Sequence, residues 1–298
     1  MIYTKDFFEE YEMDLTGTCN LSCPLCSRNY THAQHMVYKN VRPLSEIKIQ
    51  LDSFKNLKRT FIAGAVSEPT LYPDFLDYLK YLKSRNIYIE LFSNGSTRNT
   101  AFWEKVGNIL EPTDQMHFTV CGSTQKLHET YRVGSSLEKI LENAEAYRKA
   151  GHNNDYCQFI KFEYNSKDEL NTKKLGFTHW YSIGTEGIRR SDDKEISPLP
   201  GVKPEEIRDK TIKQLFKTRP LPGTNVEVLC KSLEEKKLYI DQAGKMSACY
   251  VHYEYEPQHE FKDEFDYTSI LNFEYPDCWA CTKKCKFMIN KLGVDFIC

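Results

Sequence analysis

The sequence has no apolar run near the ~18 residues a membrane-spanning helix needs, which argues against an integral helical membrane protein. It also lacks an excess of either charge. Lys and Arg number 40 against 42 Asp and Glu, a net charge of -2, so no global field draws it to nucleic acid or anionic lipid. The first residues, MIYTKDFFEEYEMD, are acidic and aromatic and do not read as a signal or transit peptide. Low-complexity tracts are missing, and so is any repeat beyond an alternation of short elements. What is there is globular in composition, 40% hydrophobic and 28% charged. At 298 residues the chain is long enough for one barrel-sized domain or two ordinary ones, expected in the cytoplasm. Against this ordinary background stand 11 cysteines.

An odd cysteine count in a long chain without an export signal is poorly explained by disulfides. Scattered core thiols are the bland alternative, but position speaks against it. Cys19, Cys23 and Cys26 sit together, and Cys230, Cys249, Cys278, Cys281, Cys285 and Cys298 gather toward the other end. Only Cys121 and Cys157 lie between, each inside an apolar run, and these two read as core residues.

Between the two groups the chain alternates strand and helix patterns. Strands are expected at Glu12–Leu15, Thr60–Ala63, Tyr88–Phe92, Met116–Cys121, Cys157–Phe162 and Trp180–Ile183. The clearest helix is Leu137–Lys149, with apolar residues at i, i+3, i+4 spacing, Ser136 as N-cap and Gly151 past its end. Pro73–Arg85 follows the same rule, and Ser45–Leu57 and Asn99–Leu110 are weaker candidates. Alternation of this kind implies parallel βα units. Six units fall short of a closed eight-fold barrel, so the expected fold is α/β, a partial (βα)6 TIM-like barrel with its chemistry at the C-terminal strand ends. The expected domains are a barrel over 1–183, a Pro- and Gly-rich connector over 184–224 with one helix near Pro204–Lys217, and a small α+β unit over 225–298. That unit contains a hairpin from Lys237–Asp241 and Lys245–Tyr250, turning at Gly244, and then a solvated acidic loop, Tyr253–Asp266.

The first strand, EMDLTG, runs straight into TCNLSCPLCS, a C-x3-C-x2-C loop. Three thiolates so placed can share one metal centre, with no fourth cysteine or histidine at matching spacing. A cubane iron–sulfur cluster held by three thiolates leaves one iron open for an outside ligand. The competing readings are a zinc knuckle completed by His32 or His35 and a chance grouping.

This loop resembles the signature of the radical S-adenosylmethionine (SAM) enzymes. The resemblance implies that Cys19, Cys23 and Cys26 bind a [4Fe–4S] cluster whose open iron is chelated by SAM, with Leu25 near the adenine. FIAGAVSEPTLYPD, from Phe61, resembles the strand-two motif, where backbone groups receive the SAM amino group. Here Ser67-Glu68-Pro69 stands where Gly-Glu-Pro is usual. LFSNG looks like the strand-three end, which brings Ser93 and Asn94 toward the ribose. HFTVCG resembles the strand-four motif, with Thr119 near the SAM carboxylate and Cys121 in place of the usual aspartate. Arg132 fits the arginine that commonly pairs with that carboxylate, and its fork suits bidentate binding. A surface salt bridge is the competing reading.

The later cysteines give C-x13-G-x4-C, from Cys230 through Gly244 to Cys249, and then C-x2-C-x3-C at Cys278, Cys281 and Cys285. This is similar to the SPASM/twitch extension of the same superfamily, which holds auxiliary iron–sulfur clusters beside the barrel mouth. Six cysteines are too few for two full auxiliary clusters, so one is expected, most simply a [4Fe–4S] centre. Its ligands would be Cys230, Cys249, Cys278 and Cys281, with Cys285 as substitute. A structural zinc fits the spacing almost as well.

The resemblance implies reductive cleavage of SAM to a 5′-deoxyadenosyl radical that abstracts hydrogen from a substrate carbon. Oxidative modification of a peptide or protein, by dehydrogenation or cross-linking, is the first expectation. A sugar or aminocyclitol dehydrogenase and a non-catalytic metal-binding scaffold are the alternatives. The implied partners are an electron donor such as flavodoxin or ferredoxin and, because only 18 residues precede Cys19, a separate leader-peptide recognition protein.

Overall fold

Short β-rich runs separated by amphipathic segments build one mostly parallel sheet. The computed structural model describes residues 2–29, 31–38, 40–183, 230–249, 261 and 264–268. The strands are β1 (Ile2–Tyr3), β2 (Glu10–Met13), β3 (Arg59–Ile62), β4 (Tyr88–Ser93), β5 (Gln115–Val120), β6 (Asp155–Ile160), β7 (His179–Ile183), β8 (Lys237–Ile240), β9 (Met246–Ser247) and β10 (Phe265–Asp266). Their order in the main sheet is β7-β6-β5-β4-β3-β2-β8-β9. All neighbours from β7 to β8 are parallel, and only β9 runs antiparallel.

The six expected barrel strands are all present, displaced by at most two residues. A seventh parallel strand was not expected. The hairpin at Lys237 forms and turns at Gly244, whose φ of +86° lies in the left-handed region. It does not stand apart, however, because β8 pairs along the free edge of β2 with Glu10 opposite Lys237 and Met13 opposite Ile240. Side chains explain the pairing. Lys237 Nζ reaches Glu12 at 3.3 Å and Glu10 at 3.4 Å, and the Tyr239 hydroxyl donates to Asp14 at 2.7 Å. The sheet therefore extends past the boundary drawn at residue 225. The connector, its expected helix and Cys278, Cys281, Cys285 and Cys298 lie outside the described residues.

The helices are α1 (Leu44–Asp52), α2 (Phe75–Ser84), α3 (Thr100–Ile109), α4 (Gln125–Tyr131), α5 (Leu137–Arg148), α6 (Glu169–Thr172) and α7 (Lys231–Glu234). Ser136 caps α5 by accepting the Lys139 N–H, and Asn99 caps α3 in the same way through Phe102. Helix α1 is shorter than its pattern. Ser53 Oγ turns back onto the Gln50 carbonyl at 2.6 Å, while Phe54 and Leu57 enter the core from the loop beyond. Helix α4 went unread because it is short and polar, held by a Thr124 cap on Leu127.

Alternation along the strands separates two faces. Ile89 and Leu91 of β4 and Tyr11 and Met13 of β2 pack with Leu79 and Leu82 of α2 and Trp103 and Val106 of α3. The other face is the bore, and it is aromatic and polar. Rings of Phe61, Phe92, His117, Tyr156 and His179 form a ladder across five adjacent strands, with centroids 4.1 to 4.7 Å apart.

The acidic stretch expected to be a solvated loop departs from that expectation where it is described. Phe261 and Phe265 are buried, and β10 pairs antiparallel with β1. Phe265 lies 4.7 Å from the Phe8 ring and 6.2 Å from Phe54. Aromatic area outweighed the acidic residues between. Phe265→Ala is expected to cost about 3–5 kcal/mol in chemical denaturation, whereas a residue of an exposed loop would cost under about 0.5.

Burial also sets a pH dependence. It pushes the Glu12 carboxyl up to about 7, against the pull of Lys237, and Asp14 up to about 6. Carboxyls raised in the folded state hold protons that the unfolded chain releases, so stability falls as pH rises between about 4 and 7. Glu12→Gln should flatten that fall in thermal melts taken across the interval; an unchanged slope would place the titration elsewhere.

Candidate active site

Strand β2 ends at Met13, and the chain turns over the C-terminal edge of the sheet into the cysteine loop. Asp14 anchors the turn, accepting from the Ala65 N–H at 2.8 Å as well as from Tyr239. The Cys26 N–H donates to the Cys23 carbonyl at 3.1 Å, and Asn29 Nδ2 donates to the same oxygen at 2.8 Å. This turn brings the thiols of Cys19, Cys23 and Cys26 to the wall of one cavity of about 260 Å³, close to the lower end of the range for small-molecule sites. Burial pushes the Cys19 thiol up to about 11 and raises Cys26 too, so ligation there must expel protons. Among the described residues no three His, Cys, Asp or Glu side chains converge as a single metal ion requires.

The β3 end supplies the next wall. Gly64, at φ +66°, has no room for a Cβ, which would meet the Ser67 carbonyl oxygen at 2.6 Å. Glu68 is buried and accepts four hydrogen bonds, from Thr70 N at 3.2 Å, Thr70 Oγ1 at 2.6 Å, Ser93 Oγ at 2.7 Å and Asn94 N at 2.8 Å. Burial raises its pKa and these donors pull it back. Its own N–H donates to the Thr18 carbonyl at 2.9 Å, which ties it to the cysteine loop. Ser67 Oγ is buried with no partner among the described residues. Pro69 begins a one-turn 3-10 helix behind the cavity rather than lining it. Asn94 Nδ2 donates to Asn20 Oδ1 at 2.8 Å, joining the β4 end to the cysteine loop.

On the opposite side stands Arg132, at the C-terminus of α4. Its Nη1 donates to Cys23 Sγ at 3.7 Å, and its Nε is buried without a partner. Burial opposes its charge, but the Cys23 and Cys121 thiols and the Tyr131 phenol outweigh burial and hold the guanidinium above its usual pKa. Cys121 is fully buried beside Leu21, Cys23, Tyr131 and Phe162, and Cys157 lies in the main core. Leu25 packs at the edge of the Cys121 cluster and does not line the cavity.

The cavity floor opens into the bore. Thr119 donates to Gln158 Oε1 at 3.1 Å, and both line the cavity with Phe61 and Phe92. Beneath them Tyr181 and His117 Nδ1 are hydrogen-bonded at 3.0 Å. Sequence reasoning missed Asn20, Arg28, Phe61, Phe92 and Gln158. Strand periodicity carries a signal for three of these, since Phe61, Phe92 and Gln158 share the bore-facing parity of Thr119.

Cys230 and Cys249 do not line the cavity. Cys230 precedes α7, and Lys237 starts β8 level with Glu10, the first residue of β2.

The donors fit an iron–sulfur cluster and SAM. Three soft thiols share a cavity that Arg132 also lines, its Nε buried without a partner, and Gly64 admits close backbone approach. No curated protein matches the chain. Among solved structures, Streptococcus suis SuiB bound to precursor peptide SuiA aligns with a TM-score of 0.60 and 11% identity, over 92% of this chain and 65% of SuiB. SuiB bound to S-adenosylmethionine gives 0.58 and 14%, over 92% and 66%. The chain thus spans just under two thirds of the length of SuiB, and at this identity the likeness is one of fold. The model of the radical SAM superfamily matches residues 13–162, half of the chain, from the last residue of β2 to just past the end of β6, and this chain belongs to that superfamily.

Proposed function

We propose that the chain is a radical SAM oxidoreductase that modifies a peptide or protein. The observation that carries this reading is the convergence of Cys19, Cys23, Cys26, Ser67, Glu68, Thr119 and Arg132 on one cavity at the C-terminal strand ends. Bound there, a [4Fe–4S] cluster and SAM supply reductive sulfonium cleavage and a hydrogen-abstracting radical. The protein's own part is to hold and exclude. Cys19, Cys23 and Cys26 would ligate three irons. Arg132 Nε and Ser67 Oγ, both buried and unpartnered, are the donors available to a carboxylate. Glu68 fixes the ends of β3 and β4, and Phe61 and Phe92 give the floor an apolar lining.

A peptide substrate is supported by the shared fold with SuiB, which is bound to a precursor peptide in one of its structures. Delivery would then fall to a leader-recognition protein and electrons to a flavodoxin or ferredoxin. Cys230 and Cys249, with Cys278, Cys281 and Cys285, would hold an auxiliary cluster that takes the second electron of a net two-electron oxidation.

Anaerobic reconstitution tests the reading. The wild type should bind about eight irons as two clusters and release 5′-deoxyadenosine on reduction. Cys19→Ala should abolish that release, at least a hundredfold, while Cys249→Ala should keep it and lose about half the iron. Zinc alone, with no 5′-deoxyadenosine, would overturn the proposal.

A further inference from the structure

The Arg132 guanidinium does two things at once in the site. Its Nε is buried without a partner, whereas its Nη1 is already committed to the Cys23 sulfur at 3.7 Å. The guanidinium carbon lies 5.9 Å from the Tyr131 ring centroid.

The main chain is braced to keep this contact. Ser22, next to Cys23, donates its N–H to the Val133 carbonyl at 3.0 Å, so the two loops are joined one residue from each partner. Ser135 N donates to the Arg132 carbonyl at 2.9 Å and Arg132 N to the His128 carbonyl at 3.1 Å. His128 locks the assembly. Its Nδ1 accepts from Cys121 N at 3.2 Å, which leaves Nε2 to donate to Ser135 Oγ at 2.8 Å. Burial, with Arg132 beside it, lowers the imidazole to about 3, so it is neutral and keeps that tautomer. A side chain meant only to meet a mobile ligand needs no such brace against Cys23.

We propose that Arg132 is a positioning residue for the cluster, its guanidinium hydrogen-bonding the Cys23 sulfur and raising the cluster's reduction potential. Reduction adds one electron to the cluster, and a fixed positive donor on a ligand sulfur stabilises the more negative state. The inference rests on Cys23 being a cluster ligand, as the proposed function has it. It is separate from any contact of Nε with a SAM carboxylate, because it acts before SAM binds.

The test is a redox titration of the reconstituted protein without SAM, followed by the electron paramagnetic resonance signal of the reduced Cys19-Cys23-Cys26 cluster, in a Cys249→Ala background to silence the second centre. At the midpoint of the parent, Arg132→Gln should lower the reduced-to-oxidised ratio about tenfold, a shift of about 59 mV for one electron. Arg132→Lys keeps the charge but loses the fork, and is expected to fall between the two; it also serves if Arg132→Gln does not hold iron. Both variants titrating with the parent, while SAM affinity falls, would overturn the inference and leave Arg132 as a carboxylate partner alone. A parent that takes up no iron on these cysteines would overturn it together with the proposed function, and iron analysis reads that outcome separately.

Discussion

Glu68 carries the geometry of the cavity on one buried carboxylate. A carboxylate taken out of water is costly unless its lone pairs are filled, and here four donors from two different strand ends fill them. Its own N–H reaches Thr18 in the cysteine loop, so β2, β3 and β4 meet at a single residue. Asn94 and Asn20 repeat the link one layer above. The thiols of Cys19, Cys23 and Cys26 are held by no strand of their own. Their position is inherited from these ties, and a shift at Glu68 would be passed to the cysteine loop through one hydrogen bond.

The bore beneath follows from a different constraint. A parallel sheet covered by helices on one face must fill or close its other face. This chain uses an aromatic ladder from Phe61 to His179, with Glu12 level with Phe61 and Lys237 joining it to Glu10. Strand β8 is part of that solution because it brings Lys237 to offset two acidic residues and Tyr239 to satisfy Asp14. Without it β2 would be an edge strand with an uncompensated acidic face.

Much of this is legible in the sequence, for reasons that can be named. Strands β2 to β7 and helices α2, α3 and α5 follow local periodicity and local caps such as Ser136 and Asn99, and neither needs distant partners to be recognised. The C-x3-C-x2-C loop is legible for the same reason, since its chemistry lies in spacing alone. What was missed depends on long-range pairing. The parallel union of β8 with β2 joins residues more than two hundred positions apart, and nothing local distinguishes it from a free hairpin. Phe261 and Phe265 sit among acidic residues, and the meeting of Phe265 with Phe8 and Phe54 turns the stretch inward. Gln158 and Phe92 could have been found by strand parity once Thr119 was placed in the site.

Arg132 shows why a motif position and a physical role need not coincide. From sequence it is the arginine after strand four, and a carboxylate is the natural partner for its fork. In the fold the hydrogen bond that it makes is to sulfur, and the loop that bears it is tied to the loop that bears that sulfur. A guanidinium presents five donors in a rigid plane, so serving Cys23 through Nη1 leaves Nε free to face the cavity. Substitution of aspartate by Cys121 in the neighbouring strand motif is consistent with this arrangement. A carboxylate at that position would compete for the guanidinium at close range, whereas burial pushes the Cys121 thiol up to about 12 and disfavours its charged form. The departure from the family pattern at Cys121 and the placement of Arg132 are thus two parts of one electrostatic choice.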